Sequence, residues 1–311
     1  MNREQFLDAL DGIRIWRRRG QRAPHKPLLL LLALARISRG RTRLAPYAEY
    51  HRDLERLLQD FGPPRRKHHP NMPFCRLPND DLWDIPEAAG LRLGRGRGGD
   101  ASPRALIEAG ARGGFPEAVH EVLAADRNLV EAAVTRLLEG HFPQSLHDDI
   151  RDAIGLEYPA QAAEEPPEYR VNRVGRDPGF RRAVITAYER RCAFCDFDIR
   201  LDDRLLGIEA AHIRWHACEG PDIVPNGLAL CVFHHRAFDR GAIGLESGGS
   251  GRKRYRLIVS RELSGVSDAF RQLVDIGGHP LRPPQETAES PDPAFVAWHR
   301  REVFRGQPRA G

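Results

Sequence analysis

The spacing of four metal-seeking side chains constrains this chain more than anything else in it. Cys192-Ala-Phe-Cys195 is followed, well downstream, by Cys231-Val-Phe-His234. Three thiolates and an imidazole at such intervals can close a tetrahedron around Zn²⁺, provided the two segments fold back on each other. Cys192, Cys195, Cys231 and His234 are therefore read as a structural zinc set, whose loss would unfold the surrounding domain. Cys218, in the loop Ala-Cys-Glu-Gly-Pro, is the rival fourth ligand. Cys75 reads as a small buried side chain. Five cysteines, an odd number with two in CxxC spacing, favour metal binding in a reducing cytoplasm over a disulfide framework.

A second set of polar residues is threaded through the first. Glu209-Ala-Ala-His212-Ile leads to Asn226-Gly, and His235 and Asp239 follow the zinc histidine. Cleaving a phosphodiester requires a base for water, neutralisation of charge growing on phosphorus, and help for the leaving oxygen. A neutral histidine supplies the first and a divalent cation the other two. On a strand–strand–helix unit, His212 lies on the first strand as general base. Asn226 opens the second strand and orients the His212 ring, and His235 begins the helix as a ligand of the catalytic Mg²⁺ or Mn²⁺. These cations prefer oxygen, so a carboxylate is expected beside His235. Asp239, four residues on, shares its helix face and ranks above Glu209. Strand alternation points Glu209 away from His212 unless the strand bends. His234 and His235, being adjacent, point apart, one toward each metal.

Residues 177 to about 245 resemble McrA-like HNH endonucleases. The likeness is carried by Phe180-Arg181, Tyr188-Glu189, Cys192-Ala-Phe-Cys195, Glu209-Ala-Ala-His212-Ile, Asn226-Gly-Leu-Ala-Leu-Cys231 and His234-His235-Arg-Ala-Phe-Asp239. The resemblance implies a ββα-metal fold and metal-dependent nicking or double-strand cleavage. The chain departs from many members in having Ala211 just before the base and a histidine at position 234.

The first half of the chain has a different character. Residues 1–100 carry 20 Lys/Arg against 12 Asp/Glu, residues 101–170 carry 6 against 13, and residues 171–311 carry 22 against 18. Basic ends around an acidic middle suit a protein that meets nucleic acid with two surfaces. Apolar periodicity predicts helices over 2–16, 27–38, 47–61, 103–111, 115–124 and 127–139, with a further short one through about 154. Pro27 is read as the first residue of its helix. The apolar run from Pro27 to Ala35 is too short to cross a bilayer, and the N-terminus lacks a signal-peptide pattern. Residues 62–70 and 93–99 read as loops, and the proline- and glutamate-rich segment 157–176 as a linker.

Arg22, His25 and Lys26 precede the leucine-rich helix, whose first-turn N–H groups favour an anion. Met72, Pro73 and Phe74 would give the facing wall a weakly polar surface. A phosphate oxygen loses strong hydration there, whereas a larger, softer phosphorothioate sulfur loses less. His68 and the stretch Arg14–Arg19 are candidates for base-edge contacts.

His25-Lys26-Pro27, Pro73-Phe74 with Leu77 and Trp83, and Phe142-Pro-Gln-Ser-Leu-His147 resemble the sulfur-binding domain of restriction endonucleases that cut phosphorothioate-modified DNA. That resemblance implies that His25 and Lys26 face the modified phosphate, and that Met72, Pro73 and Arg76 form the sulfur cavity. The expected architecture is α+β. A mainly helical DNA-reading domain (1–156) is followed by the linker (157–176) and a ββα-metal nuclease domain with structural zinc (177–311). The expected partner is phosphorothioate-bearing double-stranded DNA, with no membrane. Double-strand cutting by a one-site nuclease fits a homodimer, and two independent nicks fit a monomer. Two rivals are an HNH nuclease reading another mark, such as methylcytosine, and a non-catalytic zinc-dependent DNA-binding regulator. An aromatic content of 7% offers no evident cage for a flipped base.

Overall fold

The computed structural model describes residues 1–16, 20–91, 100–156, 178–202, 204–248, 254–286 and 288–309. The glycine- and arginine-rich stretch 93–99 and the linker expected over 157–176 lie outside them. The chain divides into two compact units, Met1–Val171 and Asn172–Gly311. Among the described residues no helix is long and apolar enough to cross a membrane.

The first unit is built around one helix. Its elements are α1 (Arg3–Asp11), α2 (His25–Ser38), β1 (Ala45–Pro46), α3 (Tyr47–Phe61), α4 (Asn71–Arg76), α5 (Pro103–Glu108), β2 (Arg112–Gly113), α6 (Glu117–Ala125), α7 (Arg127–His141) and α8 (His147–Ile154). Every residue from Pro27 to Ala35 is buried, so α2 is apolar on all sides and the other helices wrap it. Helices α3 and α7 pack directly on it, and α1 packs on α7. Helix α3 buries Tyr47, Tyr50, Leu54, Leu57, Leu58 and Phe61, a stripe at three- and four-residue intervals. An aromatic cluster closes the far side, with Phe74 packed edge-on against Tyr47 at 4.9 Å and Trp83 at 5.7 Å between ring centroids. Each such pair adds about 0.5–1.5 kcal/mol beyond simple burial.

Several helix ends differ from the expected ones, those of α1 and α2 among them. Helix α1 stops at Asp11, because Asn2 and Gln5 form a capping box that fixes its start and Gly12 ends it. The segment to Trp16 is therefore not helical. Helix α2 begins at His25, so Pro27 is its third residue. First-turn N–H groups have no intrahelical partner, so a proline costs nothing at that position. Residues 71–76, just past the loop expected over 62–70, form the short helix α4.

The second unit comprises α9 (Pro178–Ala187), β3 (Arg200–Leu201), β4 (Arg204–Leu205), β5 (Ile208–His212), β6 (Gly227–Cys231), α10 (Val232–Asp239), β7 (Ile243–Ser247), β8 (Tyr255–Val259), α11 (Asp268–Asp275) and α12 (Pro293–Glu302). Strands β5 and β6 are antiparallel, in unbroken register from Ile208↔Cys231 to His212↔Gly227. Both α9 and α10 pack on this hairpin. A Cβ on Gly227 would lie 2.3 Å from Val184 of α9, so only glycine lets the helix approach there. Strands β7 and β8 are likewise antiparallel, from Ile243↔Val259 to Ser247↔Tyr255. Helix α11 is capped by Ser267, whose hydroxyl accepts the Phe270 N–H, and it buries Leu273.

Candidate functional site

Cys192, Cys195, Cys231 and His234 present ligand atoms that all lie within 4.8 Å of one another. His234 Nδ1 is 3.2 Å from Cys231 Sγ and 3.6 Å from Cys192 Sγ. A tetrahedral zinc with ordinary bond lengths places sulfur and nitrogen about 3.6 Å apart, so the cage has the right size for a metal ion. The backbone holds it open. Cys231 ends β6 and is the N-cap of α10, which puts His234 in the first turn. The knuckle carrying Cys192 and Cys195 is tied to β6 by the Ala193 N–H donating to the Ala229 carbonyl, at 2.8 Å. Cys218 sits in a separate 3₁₀ turn, His216–Cys218, outside the set. Cys75 is fully buried, and burial pushes its thiol up to about 11, which keeps it protonated and inert.

His235 lies on α10 between two carboxylates. Its Nδ1 is 2.7 Å from Glu209 Oε2 and its Nε2 is 3.2 Å from Asp239 Oδ2. Burial opposes a charge on this ring, but the two carboxylates outweigh it and push its pKa up to about 9. The His235 hydrogen bond in turn holds the Glu209 carboxyl below its usual range. Glu209 thus reaches α10 from β5 with the ladder unbroken. Asp239 is the more enclosed carboxylate, 2% exposed against 49% for Glu209. Its other oxygen accepts the Trp215 indole N–H at 2.9 Å. Trp215, fully buried and three residues past His212, thereby fastens the exit of β5 to α10.

His212 is the last residue of β5. Its ring stacks on Phe180 of α9, with centroids 4.2 Å apart and planes inclined by 16°. Its Nε2 lies 2.7 Å from Asp222 Oδ1. Sequence reasoning missed Asp222, ten residues on in an irregular loop.

Asn226 just precedes β6, and its side chain is completely buried. Its bonds go to the loop backbone: Oδ1 accepts the Arg214 N–H at 2.8 Å, and Nδ2 donates to the carbonyls of Arg214 at 3.0 Å and Pro221 at 2.9 Å. The expected contact with the His212 ring is replaced by a clamp on the loop that follows it. A Cβ on Gly220 would lie 1.8 Å from the Arg214 carbonyl oxygen, so the clamp also requires glycine there.

In the first unit, His25 opens α2 with no side-chain cap before it. Burial, then the positive surroundings of His68, His69, Arg65 and Arg76, lower its pKa to about 4. It is a neutral imidazole in a cationic setting at ordinary pH. Met72 and Arg76, four residues apart on α4, are partly exposed, whereas Pro73 is buried. Arg76 donates to Asp100 at 2.8 Å.

Three expectations change here. Phe74 is fully buried in the aromatic core, because it lies on the inner face of α4. Arg22 is buried, and its guanidinium donates to the Phe61 carbonyl at 2.5 Å, tying the α2 entry to the end of α3. The Lys26 ammonium is engaged by Asp80, which also accepts the Arg14 N–H at 3.2 Å. Lys26 therefore brings little net positive charge. Asp80 instead anchors the segment leading to Trp16, which is half exposed on the rim of a cleft of about 660 Å³ that also includes Arg14, Arg76 and Asn79.

The family model for the ScoMcrA-like DNA sulfur-binding domain matches residues 3–159, half of the chain. The chain belongs to this family. Residues 192–246 match the HNH endonuclease model, so the sulfur-binding domain is joined to a DNA-hydrolysing nuclease domain. Similar solved structures include the sulfur-binding domain of ScoMcrA complexed with phosphorothioated DNA, at 24% identity and a TM-score of 0.42. That match covers 49% of this chain and 95% of the other. The corresponding SprMcrA complex is 24% identical, with a TM-score of 0.44, covering 50% and 95%. The type IV phosphorothioation-dependent restriction endonuclease ScoMcrA is 21% identical, with a TM-score of 0.40, covering 50% and 31%. No curated protein matches.

Proposed function

We propose that this chain is a modification-dependent restriction endonuclease, which reads phosphorothioate-bearing double-stranded DNA with its first unit and hydrolyses phosphodiesters nearby with its second. The observation that carries the reading is the union, in one chain, of a DNA sulfur-binding family domain and an HNH unit with His212 and His235 on a ββα frame. The reader spans 1–156 and the nuclease 177–311, joined by 157–176. In the reader, neutral His25 meets the modified phosphate from the α2 start, while Met72, Pro73 and Arg76 border the sulfur. His68 and the Arg14–Trp16 cleft lie toward neighbouring bases and phosphates.

In the nuclease, His212 takes a proton from water as the water oxygen attacks phosphorus in line with the departing 3′ oxygen. The Cys192, Cys195, Cys231 and His234 cage suits structural Zn²⁺. One imidazole and two carboxylates, from His235, Asp239 and Glu209, suit a hard divalent cation such as Mg²⁺ or Mn²⁺. That cation, when bound, supplies charge neutralisation at phosphorus. Trp215 holds Asp239 in place, and the Asn226 clamp sets the loop beside His212.

The test is digestion of matched duplexes with and without phosphorothioate, at one salt concentration, with Mg²⁺ and with Mn²⁺. Cutting confined to modified DNA and abolished by His212→Ala is expected. Equal cutting of both duplexes overturns the reader assignment, and full activity in a folded His212→Ala overturns the base. Binding without metal-stimulated cutting would return the chain to the regulator class.

A further inference from the structure

His212 reaches Asp222 through Nε2, at 2.7 Å from Oδ1. An ionised carboxylate can only accept a hydrogen bond, so the shared hydrogen belongs to Nε2. That choice fixes the tautomer and leaves the ring's lone pair on Nδ1. Phe180, stacked at 4.2 Å, restrains rotation of the ring about its remaining torsion. Both partners are substantially enclosed, with 11% of the His212 side chain and 18% of Asp222 exposed. Their interaction is therefore less screened than a surface ion pair.

The backbone around Asp222 is held as well. Pro221, its immediate neighbour, gives its carbonyl to Asn226 Nδ2 at 2.9 Å. The same amide holds Arg214, two residues beyond His212, by both N–H and carbonyl. One buried side chain thus fixes the spacing between the residue that carries the ring and the residue that orients it.

We propose that Asp222 is the positioning residue of the nuclease, and that Asn226 acts on the chemistry through it. The inference rests on His212 being the general base. In the step it serves, a water O–H bond breaks and its proton passes to Nδ1 of His212. The water oxygen bonds phosphorus, and the bond from phosphorus to the 3′ oxygen breaks, the leaving oxyanion taking a proton from solvent. In the neutral ring Asp222 places the hydrogen on Nε2, and it stabilises the imidazolium that forms, without itself accepting the proton.

The experiment measures single-turnover cleavage of a phosphorothioate-bearing duplex by the full chain, with Mn²⁺, for Asp222→Ala, Asp222→Asn, Asp222→Glu and His212→Ala. Asp222→Ala is expected to slow the saturating rate by roughly 10²–10³-fold while half-saturating DNA moves less than about twofold. Asp222→Glu should recover about tenfold of that loss, which a purely structural role would not give. Nitrogen-15 spectra of the His212 ring should report the Nε2–H tautomer in the parent protein and a mixture in Asp222→Ala. If Asp222→Ala fails to fold, by circular dichroism and zinc content, the isosteric Asp222→Asn decides by the same rate and spectrum. An Asp222 variant that cuts within about threefold of the parent, beside an inactive His212→Ala, overturns the positioning role and leaves the base standing. A fully active, folded His212→Ala overturns the base reading and this inference with it.

Discussion

Replacing Asn226 with alanine should open one loop of the nuclease unit and leave the rest of that unit folded. The side chain is wholly buried, and all three of its bonds go to backbone groups of Arg214 and Pro221. Alanine removes one acceptor and two donors, orphaning an N–H and two carbonyls. Each orphan left out of water costs about 1–3 kcal/mol, and partial rehydration of the loop brings the total to roughly 3–5 kcal/mol. Domains of this size are stable by about 5–15 kcal/mol, so the loop can open without global unfolding. The assay is native-state hydrogen exchange at the Arg214 amide. Its protection should fall by roughly two to three and a half orders of magnitude, at 1.4 kcal/mol per tenfold. Protection at β7 and β8, and the metal content, should persist, while cleavage collapses. Asn226→Asp should be no better, since a carboxylate offers no donor to either carbonyl. Unchanged protection at Arg214 with activity lost would refute the clamp and return Asn226 to a direct role at the reacting phosphate.

Cys231→Ser, or exhaustive chelation, should remove one zinc per chain and unfold the second unit, seen as loss of β-sheet dichroism; chelation that removes zinc and leaves the fold intact would contradict a structural role. His25 is neutral in the folded unit down to about pH 4, whereas an unfolded chain takes up that proton near pH 6.5. Between those values the unfolded state binds more protons, so stability falls with falling pH, by roughly 3 kcal/mol across the window. His25→Asn should flatten that part of the urea-stability profile, and parallel profiles would count against it. Asp80→Ala strips the partner from Lys26 and the anchor from the Arg14 N–H. It should cost about 3 kcal/mol and alter Trp16 emission, with urea unfolding and fluorescence as the readouts.

Helices α3 and α7 were legible because an apolar stripe at helical spacing needs only one face buried, and the sequence displays it directly. The leucine run of α2 also announced itself, because burial on every side leaves no polar residue to break it. Helix α4 was hidden because Pro73 reads as a breaker, yet position three of a six-residue helix has no intrahelical N–H bond to lose. The metal cage was visible in advance because ligand spacing is a one-dimensional record of a tetrahedron. Ion pairs leave no such record. Lys26 read as free positive charge because nothing in the string says that Asp80, far along the chain, will pair with it.

The same distinction separates what the nuclease motif discloses from what it hides. His212, Asn226 and His235 stand out by type and order; β5 ends on His212, Asn226 lies just before β6, and His235 is the fourth residue of α10. The link between them was misjudged, because an asparagine beside a histidine in a motif invites a direct bond, while the amide spends every donor and acceptor on backbone. Strand alternation fixes where the Glu209 Cβ points but not how far three further side-chain bonds reach, and its carboxylate meets His235. Asp222 belongs to neither strand nor helix, so no period marks it. Its place beside His212 depends on Gly220 admitting the Arg214 carbonyl, on the Asn226 clamp, and on Trp215 fastening the strand exit to Asp239. The orientation of the His212 ring is therefore a property of the loop from 213 to 226 as a unit. Substitutions at Gly220, Trp215 and Asn226 should accordingly be non-additive in rate, each disabling the same His212–Asp222 geometry that the others already disable.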